Sequence, residues 1–144
     1  MHQKILSELH ITIGQYIREK GGLCEVYPAP FAVKLFKDDK TITEPDISVI
    51  CDPNKLTDKG CCGAPDWIIE IVSPSTSSHD YVRKLNLYMD AGVREYWIVN
   101  PMEKSVYVYF LVEDRFQTKS YTFRDRIKVS IYDDLWIDFK ELEN

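Results

Sequence analysis

Trp67-Ile68-Ile69-Glu70-Ile71-Val72 is the strongest strand signal in the chain. Branched and aromatic side chains occupy both faces of the run, the mark of a central strand covered on each side. Glu70 is the anomaly inside it. An ionised carboxylate in a covered strand is costly unless a cation or a metal meets it. Glu70 therefore reaches solvent at a strand end, pairs with a structural Lys or Arg, or serves chemistry.

Downstream, Ser73-Pro74-Ser75-Thr76-Ser77-Ser78 leads into a helix predicted over residues 79–91 and closed by Gly92. Tyr81, Lys84, Leu85 and Tyr88 share one stripe of that helix by the i, i+3, i+4, i+7 rule. A lysine on such a stripe buries its stem, and its ammonium either snorkels to water or meets a buried anion. Glu70, one strand upstream, is the candidate anion. Tyr96-Trp97-Ile98-Val99 reads as another buried strand, ended by Asn100-Pro101. Residues 105–112 and 116–123 read as a hairpin around Glu113-Asp114-Arg115, and short apolar pieces follow at 129–131 and 135–137.

Upstream, Ile5, Leu9, Ile13, Tyr16 and Ile17 give a helix over residues 4–19, stopped by Gly21-Gly22. Residues 24–36 are extended, with Pro28 and Pro30 marking a bent or edge strand. Lys37-Asp38-Asp39-Lys40 is a turn, 47–51 a short strand, and 52–64 a loop rich in Asp, Asn, Gly and Pro. Helix, strands, helix and strands again make a mixed α/β (α+β) domain with one main sheet. At 144 residues the chain is expected to form one domain, residues 1–144.

Asp46, in Glu44-Pro45-Asp46-Ile47, opens the strand before Glu70. Alone it is an ordinary turn residue. Two carboxylates brought together, however, repel unless one is protonated or a divalent cation lies between them. Hard oxygen ligands of this kind suit Mg²⁺ or Mn²⁺.

Hydrophobic residues make up 44% of the chain and charged residues 28%, which excludes a disordered or fibrous protein. No apolar run approaches the ~18 residues that cross a bilayer, and Met1-His2-Gln3-Lys4 opens no signal-peptide core. We expect a cytoplasmic protein with no membrane contact, whose Cys24, Cys51, Cys61 and Cys62 are free thiols. No C-x-x-C pair suggests zinc. Net charge is −5, without the basic bias of a dedicated DNA-binding domain. Five acids against Lys140 alone make an acidic tail over residues 133–144. Arg115, Lys119, Arg124, Arg126 and Lys128 form the best local candidate for phosphate contact.

The joint pattern carries a resemblance. Pro45-Asp46, Glu70-Ile71-Val72-Ser73-Pro74-Ser75, Lys84-Leu85, Tyr88, Ala91-Gly92-Val93 and Glu95-Tyr96-Trp97-Ile98-Val99 follow one another, after His2-Gln3 and Pro28-Ala29-Pro30-Phe31. Over residues 2–110 this resembles the Uma-two-type restriction endonuclease family of the PD-(D/E)XK nuclease superfamily. The resemblance implies a restriction-endonuclease-like fold, a mixed sheet flanked by helices. It implies a DNA endonuclease in which Asp46, Glu70 and the main-chain carbonyl of Ile71 hold Mg²⁺, with Mn²⁺ able to substitute. The superfamily's lysine, two residues beyond the acid, would fall at Val72. The resemblance implies that Lys84 on the following helix takes its place, orienting the attacking water or meeting developing negative charge. The periodicity puts Lys84 on the inward stripe independently. A homodimer follows from the need to grip both strands of a duplex.

Other residues have plainer roles. Asp80 completes a Ser77-x-x-Asp80 capping box, with a place beside Lys84 as second choice. His79 is a first-turn helix residue. Glu95 is a further acid near the site or a strand-end surface charge, and Glu8 an exposed helical acid that could reach a second metal. Tyr107, Tyr109, Phe110, Phe116, Tyr121 and Phe123 are expected to pack the sheet rather than stack on bases. The rival function is a non-catalytic interaction module on the same fold, favoured by the net charge and the displaced lysine. A sugar hydrolase using Asp46 and Glu70 as acid and base gives no account of Lys84.

Overall fold

The computed structural model describes residues 1–38, 40–75 and 78–143, with Ser78 and His79 as backbone alone. In chain order the elements are α1 (His2–Lys20), β1 (Glu25–Pro28), β2 (Val33–Lys34), β3 (Ile42–Thr43), β4 (Ile47–Ile50), β5 (Leu56–Thr57), β6 (Gly60–Cys62) and β7 (Trp67–Ile71). Then come α2 (Ser78–Ala91), β8 (Glu95–Asn100), β9 (Ser105–Val112), β10 (Arg115–Thr122), β11 (Arg126–Lys128), β12 (Trp136–Asp138) and α3 (Phe139–Glu143).

Every residue of β7 is buried, and the six-stranded sheet built around it runs β1-β4-β7-β8-β9-β10. β7 and β8 are parallel, and α2 is the crossover between them; β7's other neighbour, β4, is antiparallel. The mixed sheet flanked by helices is the expected architecture. Its two faces hold separate cores. Ile5, Leu9 and Ile13 of α1 pack with Trp67, Ile69, Trp97 and Val99 on one face. Ile68, Val72, Tyr96 and Ile98 pack with Tyr81 and Tyr88 of α2 on the other. Gly21 ends α1 at φ 69°, a left-handed position that costs glycine nothing, and its N–H returns to the carbonyl of Ile17.

Two expectations are corrected. Residues 52–64 are not a plain loop: a 3₁₀ turn (Pro53–Lys55) precedes β5 and β6, which join β2 and β3 in a second sheet of order β3-β2-β6-β5. The acidic tail is built into the fold, and its apolar piece forms a strand as expected. β12 pairs with β11, and Phe139 and Leu142 enter the α1-side core, because apolar residues alternate among the acids.

The second correction concerns the thiols. Cys24 and Cys51 form a disulfide, while Cys61 and Cys62 are free. The pairing of Glu25 with Ile50 puts the next residues outward, Cys24 and Cys51, directly across from one another. Nothing in their spacing of 27 announces that register. Burial pushes the Cys61 thiol up to about 11, away from reactivity.

Among the described residues, no helix is long and apolar enough to cross a membrane. Ser77 of the expected capping box and the side chain of His79 lie outside the described residues, as does Asp39 of the expected turn.

Candidate active site

The register of β4 on β7 builds the site. Ile47 pairs with Ile69, so Asp46, one step out on β4, stands across from Glu70. Pro45 has no N–H to continue the ladder, and the Asp46 side chain takes over. Its Oδ2 accepts the Ile71 N–H at 2.7 Å, while the Asp46 N–H donates to Glu70 Oε1 at 3.1 Å. This reciprocal pair of bonds locks the two carboxylates side by side.

Lys84 completes the arrangement from α2. Its Nζ donates to Glu70 Oε2 at 2.8 Å; the Glu70 side chain is 4% exposed and the Lys84 side chain 36%. Burial pushes the Glu70 carboxyl up, against the pull of Lys84. Burial pulls the Lys84 ammonium down, but the charge and hydrogen bond of Glu70 outweigh it and hold it above its usual range. The Lys84 ammonium also sits 5.7 Å from the centre of the Tyr81 ring. Tyr81 Oη lies 3.5 Å from the carbonyl of Ile71. Tyr88 is buried on the same stripe, its hydroxyl pushed up first by burial and then by the charge of Glu70. The structure thus brings together the Asp46 and Glu70 carboxylates, the Ile71 N–H and the Lys84 ammonium.

His2 was missed. The first turn of α1 brings its Nε2 to 3.5 Å from Asp46 Oδ2. Its place beside Pro45-Asp46 depends on how α1 docks, which no local pattern encodes.

Several expectations fail here. Glu95 is neither near the site nor on the surface. It is fully buried on the α1 face, at the opposite end of the strands, and accepts from Trp97 Nε1 at 2.7 Å and from the Ser130 and Ile131 N–H groups at 3.0 Å. Asp80 does stand in the first turn of α2, the helix-start place expected of it, and it pairs with Arg83 at 3.0 Å rather than joining Lys84. The basic hairpin points away. Lys119 pairs with Val108, and that row belongs to the α1-side core, so its side chain leaves the sheet opposite Glu70. Lys128 Nζ is spent on the carbonyls of Val129 and Tyr132.

The donor set of Asp46, Glu70 and the Ile71 carbonyl is all oxygen, as a hard divalent cation requires. Among the described residues, no three His, Cys, Asp or Glu side chains converge on one point. Mg²⁺ typically takes one or two carboxylates and completes its shell with water and substrate phosphate.

The comparisons bear on the fold and the family. A crystal structure described as a putative nuclease belonging to DUF820, from Anabaena variabilis, superposes with a TM-score of 0.79 at 25% identity, covering 98% of this chain and 79% of that one. An uncharacterized protein from Synechocystis is 27% identical over 95 residues, 65% of this chain; the chain spans about half the length of that curated relative. Residues 1–140 match the Uma2 family, described as "Putative restriction endonuclease". The chain therefore belongs to the Uma2 family and shares its fold with the Anabaena protein of that description.

Proposed function

We propose that the protein is a divalent-metal-dependent DNA endonuclease in which Asp46, Glu70 and the Ile71 carbonyl hold Mg²⁺, with Mn²⁺ able to substitute. The observation that carries this reading is the locked Asp46–Glu70 pair with Lys84 at 2.8 Å. When bound, the ion supplies Lewis-acid polarisation of a phosphate oxygen and acidifies a water. The chain's own groups do the rest. The Ile71 N–H fixes the Asp46 carboxylate. Lys84 counters the burial that pushes the Glu70 carboxyl up, and its remaining N–H donors can meet negative charge growing on the phosphate. His2 stands at the open side of Asp46, where it can hold that carboxylate's orientation.

Two copies acting together would place two such sites on a duplex, and a homodimer is part of the proposal. So is a cytoplasmic location.

The test is cleavage of a mixed-sequence DNA pool with Mg²⁺ and with Mn²⁺, by the wild type, Glu70→Gln and Lys84→Met. Metal-dependent cutting that falls by at least about 10²-fold in each variant is expected. Cutting that survives both substitutions contradicts the site. No cutting by wild type on any duplex, with strand binding retained, would favour the interaction module.

A further inference from the structure

The sheet register carries the site's face beyond the helix that covers it. Glu70 pairs with Ile98, Ile98 with Tyr107, and Tyr107 with Ser120. Residues directly across from one another share a face, so Tyr107 and Ser120 look out on the same side as Glu70. α2 covers only the near part of that face. Tyr88 packs edge-on against Tyr96, and Tyr109 stacks on Tyr96 at 6.2 Å. Past that point the surface is open: Tyr107 is 39% exposed, and Thr118 and Ser120 on β10 are exposed. Two strand spacings put Tyr107 about 10 Å from Glu70, about three base steps of a nucleic acid at ~3.4 Å each.

The chemistry of the strip is distinctive. In a chain of net charge −5, none of the β9 and β10 residues on this face (105, 107, 109 and 111; 116, 118, 120 and 122) is charged. It offers an exposed aromatic ring and a row of hydroxyls. It has no Arg, Asn or Gln to read base edges, so what it offers is ring stacking and hydroxyl contact without sequence readout. An exposed ring takes only a base that has left its own stack, and it does so without regard to sequence. Ser and Thr hydroxyls commonly contact phosphate and sugar.

We infer that Tyr107, with Thr118 and Ser120 beside it, is a stacking site for an unpaired nucleotide, and that a single-stranded segment leads along this strip to the Asp46–Glu70 centre. The inference rests on the nuclease reading and deepens it: the substrate has unpaired bases next to the scissile phosphate.

The test is photo-crosslinking of single-stranded and duplex oligonucleotides carrying 5-iododeoxyuridine, with the crosslinked peptide mapped by mass spectrometry and binding followed by anisotropy. Wild type and Glu70→Gln should both crosslink the single strand at Tyr107. Tyr107→Ala should lose the crosslink and bind the single strand roughly tenfold more weakly; Tyr107→Phe, which keeps the ring, should bind as wild type does. Unchanged binding by Tyr107→Ala, crosslinks on the Arg115 and Lys119 side, or no single-strand binding at all would overturn the inference. The two readings separate cleanly. Cutting that depends on Glu70 but is unaltered by Tyr107→Ala, with binding also unaltered, removes the strand site and leaves the nuclease. A Tyr107 crosslink in a protein that cuts nothing removes the nuclease and leaves the strand site.

Discussion

Glu70 and Glu95 are both buried carboxylates, on adjacent strands of one sheet, and they are held in opposite ways. Glu95 faces α1 and accepts three hydrogen bonds from neutral, fixed donors: the Trp97 indole and the N–H groups of Ser130 and Ile131. Glu70 faces α2 and is met by a lysine that is itself partly in water, with a second carboxylate alongside. The first arrangement is closed. It pins the segment after β11 to the sheet and has nothing left to exchange. In the second, the partner is a cation within reach of water and the neighbour repels, which is the imbalance that the proposed divalent ion would relieve. Burial of a carboxylate is thus no sign of chemistry by itself; the nature of its partners is.

The largest effect follows from opening the closed site. Glu95→Leu strands two N–H groups and an indole donor in the core, and should lower stability by roughly 3–5 kcal/mol in urea unfolding. A loss under about 1 kcal/mol would mean that the segment over residues 128–132 is not anchored there. Lys84→Met should cost less, about 1–2 kcal/mol, because water reaches the ammonium and discounts the pair; a larger loss than that of Glu95→Leu would reverse the contrast.

The smallest effect is on pH dependence. Burial raises the Glu95 carboxyl above its ordinary 4.5. The folded protein then holds that proton more tightly than the unfolded chain. The contribution is complete below about pH 4.5 and is lost as pH rises through the folded value. Wild type should therefore lose stability relative to Glu95→Gln as pH climbs above 4.5. A difference independent of pH would contradict the assignment.

Much of this was legible in the chain. The run through Glu70 fixed a covered central strand, helical periodicity turned Lys84 inward, and Pro45 marked where Asp46 begins its strand; each is a local signal. What was not legible depends on register and docking. Cys24 meets Cys51, and His2 meets Asp46, only because distant elements pair at one offset. Period-two alternation puts Glu95 on the face of Trp97 and Val99, the α1 side. The chain could not show that the backbone of Ser130 and Ile131 would fold over it. The same holds for the basic hairpin, whose charges were visible but whose face was set by the pairing of β10 with β9.

The central claim is that Glu70, unlike Glu95, is an exchangeable ligand for a divalent cation. Thermal unfolding of wild type and Glu70→Gln, each with and without Mn²⁺, tests it most directly. Without metal, Glu70→Gln should be at least as stable as wild type, because it relieves a buried charge beside Asp46. With Mn²⁺ at about 100 times its Kd, wild type should gain about 2.7 kcal/mol and Glu70→Gln nothing. Equal metal response in the two proteins would contradict the account.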